Sequence, residues 1–151
     1  MNDLALQLPL TYISEMSYKR ITTPITVRFR DIDAMGHVNN SVFMTYFEEG
    51  RKVFLRDIFY INEPSQYPFI LAKISCDYVR PINLDDGVAL DIWVSTISGK
   101  SFKFIYKLFD PRDTAAIYAM GESVMVFYDY AGKKTIPLSD EFKKRIAEYC
   151  E

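Results

Sequence analysis

Two carboxylates, one imidazole and two side-chain amides fall within ten residues: Asp31, Asp33, His37, Asn39 and Asn40. They belong to the stretch Val27-Arg28-Phe29-Arg30-Asp31-Ile32-Asp33-Ala34-Met35-Gly36-His37-Val38-Asn39-Asn40. A positioned carboxylate can act as general base on water or as a nucleophile. The first turn of a helix presents backbone N–H groups without intrahelical partners, and these can stabilise a developing anion. Brought into one small volume, the two features suit acyl transfer. The local pattern favours such a meeting. Ile25, Val27 and Phe29 alternate with Thr26, Arg28 and Arg30, which reads as a strand over about 25–32. Gly36 allows a sharp turn. Asn39 and Asn40 are N-cap types, and periodic apolar residues follow at once.

Each of these residues also has a structural reading. Asp33 can be a turn aspartate bonded to its local backbone. Asp31 shares strand parity with Asp33, so alternation does not choose between them. Asn40 can serve as a cap, or its backbone N–H can sit at the positive end of the helix dipole and meet a carbonyl oxygen. His37, the sole histidine, can orient Asp33, share a proton with water or contact substrate. Glu48 and Arg51, spaced i, i+3, read as a solvated ion pair.

The elements that must position these groups are legible from periodicity. A helix over about 40–57 carries an apolar stripe of Phe43, Tyr46, Phe47, Gly50, Val53 and Phe54. Gly50 in that stripe costs roughly 1 kcal/mol of helix propensity against Ala, which close approach to a sheet would explain. Alternating strands follow over 70–79, 88–97, 102–108 and 115–128, with hairpin turns at Ser98-Gly99-Lys100 and Asp110-Pro111-Arg112-Asp113. Ser139 caps a terminal helix over 138–149. The expected class is α+β, a single domain over 1–151 with an N-terminal extension over 1–21. One antiparallel sheet curled around one long helix would bury the stripe and one face of each strand. Trp93, Ile105, Val124 and Val126 point to burial on the other face as well. The sheet's edge strands are pairing sites for a second copy.

Composition excludes several classes. The formal charge of −2 gives no electrostatic case for nucleic acid. Cys76 and Cys150 make no disulfide framework and read as free thiols in a reducing compartment. One histidine and no C-x-x-C spacing argue against a metal site. No basic n-region precedes a cleavage site, and no apolar run reaches the ~18–20 residues of a bilayer span. A soluble cytoplasmic protein is the expectation.

The segment Arg28 to Arg51 fits D-x-D-x-x-G-x-V, a short gap, an aromatic, and then Tyr46-Phe47-Glu48 with Arg51 as Y-F-E-x-x-R. In this it resembles the hotdog-fold acyl-CoA thioesterases of the 4-hydroxybenzoyl-CoA thioesterase family. The resemblance covers about residues 22–145 and is sharpest in its first third. It implies a five-stranded antiparallel sheet wrapping one long helix, paired into a ten-stranded dimer, as a homodimer or homotetramer. It implies a thioester carried on coenzyme A or on acyl carrier protein, with no metal and no organic cofactor. By the family motif Asp33 is the catalytic carboxylate and the N–H near Asn40 polarises the thioester carbonyl; His37, which many members of the family lack, reads as structural or auxiliary beside them. Tyr46 lies on the substrate side, and Glu48 is the fallback base, because another hotdog branch carries its carboxylate on this helix. Lys100 and Ser101 match the family's contacts to the nucleotide end of coenzyme A. A non-catalytic acyl-thioester-binding module and an enoyl-thioester hydratase using Asp33 and His37 stand as alternatives.

Overall fold

In the computed structural model, which describes residues 18–151, the chain forms one curled antiparallel sheet on one long helix. The strands are β1 (Ile21–Ile25), β2 (Phe69–Tyr78), β3 (Val88–Ile97), β4 (Ser101–Asp110) and β5 (Asp113–Asp129). They pair in the order β1-β3-β4-β5-β2, and a short β6 (Lys134–Thr135) lies against the end of β5. The helices are α1 (Asn40–Phe59) and α2 (Asp140–Ala147). These are the elements of a hotdog fold. The expected extension over 1–21 falls largely on residues outside those described, and β1 starts at its last residue.

The aromatic stripe explains why α1 sits where it does. Phe43, Tyr46, Phe47, Gly50, Phe54 and Leu55 are buried, whereas Val53 is half-buried. Phe47 stacks on Tyr106 of β4 with ring centroids 4.5 Å apart, and Phe54 meets Phe104 edge-on at 4.9 Å. Gly50 faces β3, and a side chain there would run into Leu90. The helix therefore lies close to the sheet, as its glycine suggests. It runs two residues past the expected end and stops at Tyr60, whose φ of 57° is left-handed. Ser139 caps α2 by accepting the Phe142 N–H at 3.2 Å, and Phe142 and Ile146 are buried beneath it.

The outer face of the sheet is covered at β3. Trp93 is buried, its ring under the Arg20 guanidinium at 4.4 Å and its N–H donating to Glu151 at 2.9 Å. The C-terminal residues continue the sheet edge past β1, with Val94 bridging to Cys150. Among the described residues no helix is long and apolar enough to cross a membrane.

The first strand requires a correction. The alternation over 25–32 placed it too late; β1 ends at Ile25, and Phe29–Asp31 is a 3-10 turn. Phe29 is 83% exposed, so it has no inward face to share with Ile25. The cause is Asp31, whose buried carboxylate draws the backbone into a turn, as described below. Pro24 is tolerated in β1 because that strand is a sheet edge. Replacing Gly50 with Val should lower stability by about 1–3 kcal/mol in urea unfolding; unchanged stability would mean the helix stands further from β3.

Candidate active site

The stretch from Asp31 to Asn40 folds as a tight hairpin leading into α1. Ile32 and Val38 bridge antiparallel. The Asp33 N–H donates to the His37 carbonyl at 2.9 Å, and the Gly36 N–H donates to the Asp33 carbonyl at 3.0 Å. Gly36 has φ +84°, the conformation a glycine adopts without strain. The Val38 N–H donates to Ile82 in the β2–β3 connection at 2.8 Å, and the Asn39 N–H donates to the Asp31 carbonyl at 2.8 Å. The hairpin is thus fastened at its base and to the β2–β3 connection.

Asn39 is the N-cap. Its side-chain oxygen accepts the Ser41 N–H at 2.9 Å and the Ser41 hydroxyl at 2.8 Å. Asn40 is therefore the first helical residue, and its N–H meets no acceptor among the described residues. That amide stands at the positive end of a 20-residue helix. Asp33, His37 and Asn40 all line one cleft of about 210 Å³, together with Phe43, Tyr78 and Arg80. Tyr78 closes its β2 side: its hydroxyl donates to the Asn40 carbonyl at 2.9 Å, and its ring meets Phe43 at 5.0 Å. Burial keeps the Tyr78 phenol above its ordinary value, so it stays a donor.

Asp33 is held in a local turn by one of its two carboxylate oxygens. Its Oδ1 accepts the Met35 N–H at 2.8 Å, which fixes the carboxylate in a local turn. Its Oδ2 has no partner among the described residues, leaving one oxygen available to a proton. Among the described residues no hydrogen bond joins the His37 imidazole to this carboxylate; the two are tied through backbone only. A base, an open amide donor and an apolar wall are the parts an attack of water on a carbonyl needs.

Asp31 is placed differently. It is 8% exposed, and its Oδ2 accepts the Arg28 N–H and the Tyr46 hydroxyl, each at 2.9 Å. Burial, reinforced by the Asp31 carboxylate, holds the Tyr46 phenol far above its ordinary value. Tyr46 thus lies outside the Asp33 cleft, with its hydroxyl committed to Asp31. Glu48 is exposed on α1 and lines a separate pocket. It forms no ion pair with Arg51, which donates to the buried Tyr106 hydroxyl at 3.1 Å; the i, i+3 pair is Glu49–Lys52 instead. Lys100 and Ser101 lie at the β3–β4 hairpin, beside the Phe69 end of the sheet. The cleft is at the Tyr78 end, a ten-residue strand away, roughly 30 Å. Sequence reasoning assigned no role to Arg80 or to the Tyr78 hydroxyl. Their meeting with residues about forty positions earlier leaves no local periodicity to find.

Two outcomes follow from this geometry. Tyr46→Phe leaves a buried carboxylate short of one donor and should cost about 1–3 kcal/mol in urea unfolding. Burial pushes the Cys76 thiol from 9.0 up to about 11. A thiol raised on folding stabilises the fold fully below its ordinary value, and that contribution is lost as pH rises through its folded value. Native Cys76 should therefore resist alkylation at about pH 8 and react once urea unfolds the chain, as read by peptide mass mapping.

Comparison with known proteins agrees with this architecture. Residues 27–146 match the family model of the thioesterase-like superfamily. The long-chain acyl-CoA thioesterase FadM of Escherichia coli is 24% identical over 128 residues, covering 83% of this chain and 96% of FadM. A Thermus thermophilus thioesterase solved in complex with coenzyme A and zinc is 30% identical, with a TM-score of 0.72, covering 83% of this chain and 90% of that one. A predicted thioesterase from Bacillus stearothermophilus shares the fold with a TM-score of 0.80 at 21% identity, covering 88% of this chain and 98% of that one. The chain belongs to the thioesterase-like superfamily and is a thioester hydrolase.

Proposed function

We propose that this chain is an acyl-CoA thioesterase of the 4-hydroxybenzoyl-CoA thioesterase type, releasing a carboxylic acid and coenzyme A. The observation that carries the reading is the shared cleft: the Asp33 carboxylate and the open Asn40 amide line the same small volume. The thioester carbonyl oxygen accepts the Asn40 N–H, which also feels the helix dipole. Asp33 takes a proton from water as the water oxygen attacks the carbonyl carbon. The tetrahedral intermediate collapses, the C–S bond breaks, and the proton held by Asp33 passes to the leaving thiolate. In the nucleophilic variant the Asp33 carboxylate attacks the carbonyl carbon, the C–S bond breaks to release the coenzyme A thiolate, and water hydrolyses the resulting mixed anhydride, restoring the Asp33 carboxylate and freeing the acid. His37 contacts the acyl group or the water from the cleft's other lip.

The enzyme acts as a pair of copies joined through β2, the sheet edge that ends the strand order. Leu71 and Tyr78, both exposed on β2, lie at that edge. Lys100 and Ser101 then reach a cleft only from another subunit, because in their own chain they lie at the opposite end of the sheet from it. Cys76 and Cys150 are both free, in keeping with a reducing, cytoplasmic setting.

A thiol-release assay over acyl-CoA and acyl-carrier-protein panels tests the reading. Asp33→Ala should fold, still pair, and lose at least ~100-fold in rate. An unchanged rate moves the chemistry to Glu48 or Asp31. Loss of enoyl absorbance without thiol release would make the protein a hydratase, and binding without turnover a non-catalytic module.

A further inference from the structure

Tyr78 directs its hydroxyl at a group that has no need of a further donor. It is the last residue of β2, on a sheet edge, and is 47% exposed. The hydroxyl donates to the Asn40 carbonyl at 2.9 Å. Asn40 is the first residue of α1, and a carbonyl there already accepts an N–H from the next helical turn. The phenol therefore rescues no orphaned acceptor. What the bond adds is position: it ties the end of β2 to the start of α1.

The phenol is itself firmly placed. Its ring meets the buried Phe43 edge-on, with centroids 5.0 Å apart. The backbone just after it is pinned, since the Val79 and Arg80 N–H groups both donate to the Tyr118 carbonyl of β5, at 2.9 and 3.0 Å. Further along the same connection, the Ile82 carbonyl accepts the Val38 N–H at 2.8 Å. Segment 78–82 thus grips the helix start on both sides of the Asn40 N–H, through Val38 before it and through the Asn40 carbonyl after it. We infer that Tyr78 is a positioning residue for the hydrolysis: its hydroxyl holds the Asn40 amide in register with the Asp33 carboxylate across the cleft. This rests on the acyl-CoA reading above and adds what sets the aim of its amide donor. A shift of about 1 Å in such a group can cost roughly 100-fold in rate.

Tyr78→Phe tests this, because it keeps the ring on Phe43 and removes only the hydroxyl. For the acyl-CoA, kcat and kcat/KM should fall together, about tenfold, with KM little changed. Sedimentation should show the same assembly as wild type. The same acyl group is also supplied as a coenzyme A dithioester, whose C=S sulfur is a weak acceptor and makes little use of an amide donor. The variant should hydrolyse that substrate at nearly the wild-type rate. By nuclear magnetic resonance, the Asn40 amide should have the rigid-backbone order parameter of about 0.85 in wild type, and a lower one with a shifted resonance in Tyr78→Phe. An unchanged thioester rate overturns the inference. Equal losses on thioester and dithioester overturn it too, since they report a general distortion of the cleft. An Asn40 amide that neither shifts nor loosens overturns it as well. A loss that accompanies dissociation of the pair overturns it in favour of an interface role. If wild type hydrolyses no thioester, the proposed function fails, and the Asn40 amide alone still decides whether Tyr78 holds the helix start.

Discussion

The buried Asp31 carboxylate holds the hairpin and the start of α1 in shape. With one oxygen it accepts the Arg28 N–H and the Tyr46 hydroxyl, so it joins the turn before the hairpin to the second turn of α1. Its own carbonyl accepts the Asn39 N–H, which sets the start of the helix. A buried carboxylate without donors would be costly, so the two hydrogen bonds tie the two segments to each other. Asp33 and the Asn40 amide inherit their relative position from that knot. The conspicuous D-x-D pair thus divides its labour: one aspartate builds the frame and the other is left with a free oxygen.

The second constraint is the seating of α1 against the sheet. Phe47 stacked on Tyr106, Phe54 against Phe104, and Gly50 pressed on Leu90 fix the helix along the concave face. Interiors packed at this density transmit position without slack. The N-terminus of α1 therefore ends at the Tyr78 end of β2, where Tyr78 bonds the Asn40 carbonyl and completes the cleft. Because Asn39 caps Ser41, the first-turn amide of α1 left without an acceptor among the described residues is that of Asn40, which lines the same cleft as Asp33.

Much of this was legible before any coordinates. Periodicity located α1 and its aromatic stripe, the four strands after it and the Ser139 cap, because burial of one face imposes repeats of 3.6 and 2 residues. The resemblance carried by Asp33, Gly36, Asn40 and Tyr46-Phe47-Glu48 pointed to the right superfamily. The first strand was misplaced because Phe29 and Arg30 alternate correctly for a strand yet are overruled by a bond from Asp31 to a tyrosine fifteen residues on. The same kind of contact separated Asp31 from Asp33, made Tyr78 part of the cleft, and turned Arg51 from Glu48 to Tyr106. Sequence determined which faces had to be buried, since that depends on neighbours three or four residues away. Tertiary structure alone decided which polar groups found partners and which stayed open, since that depends on chain segments meeting across the sheet.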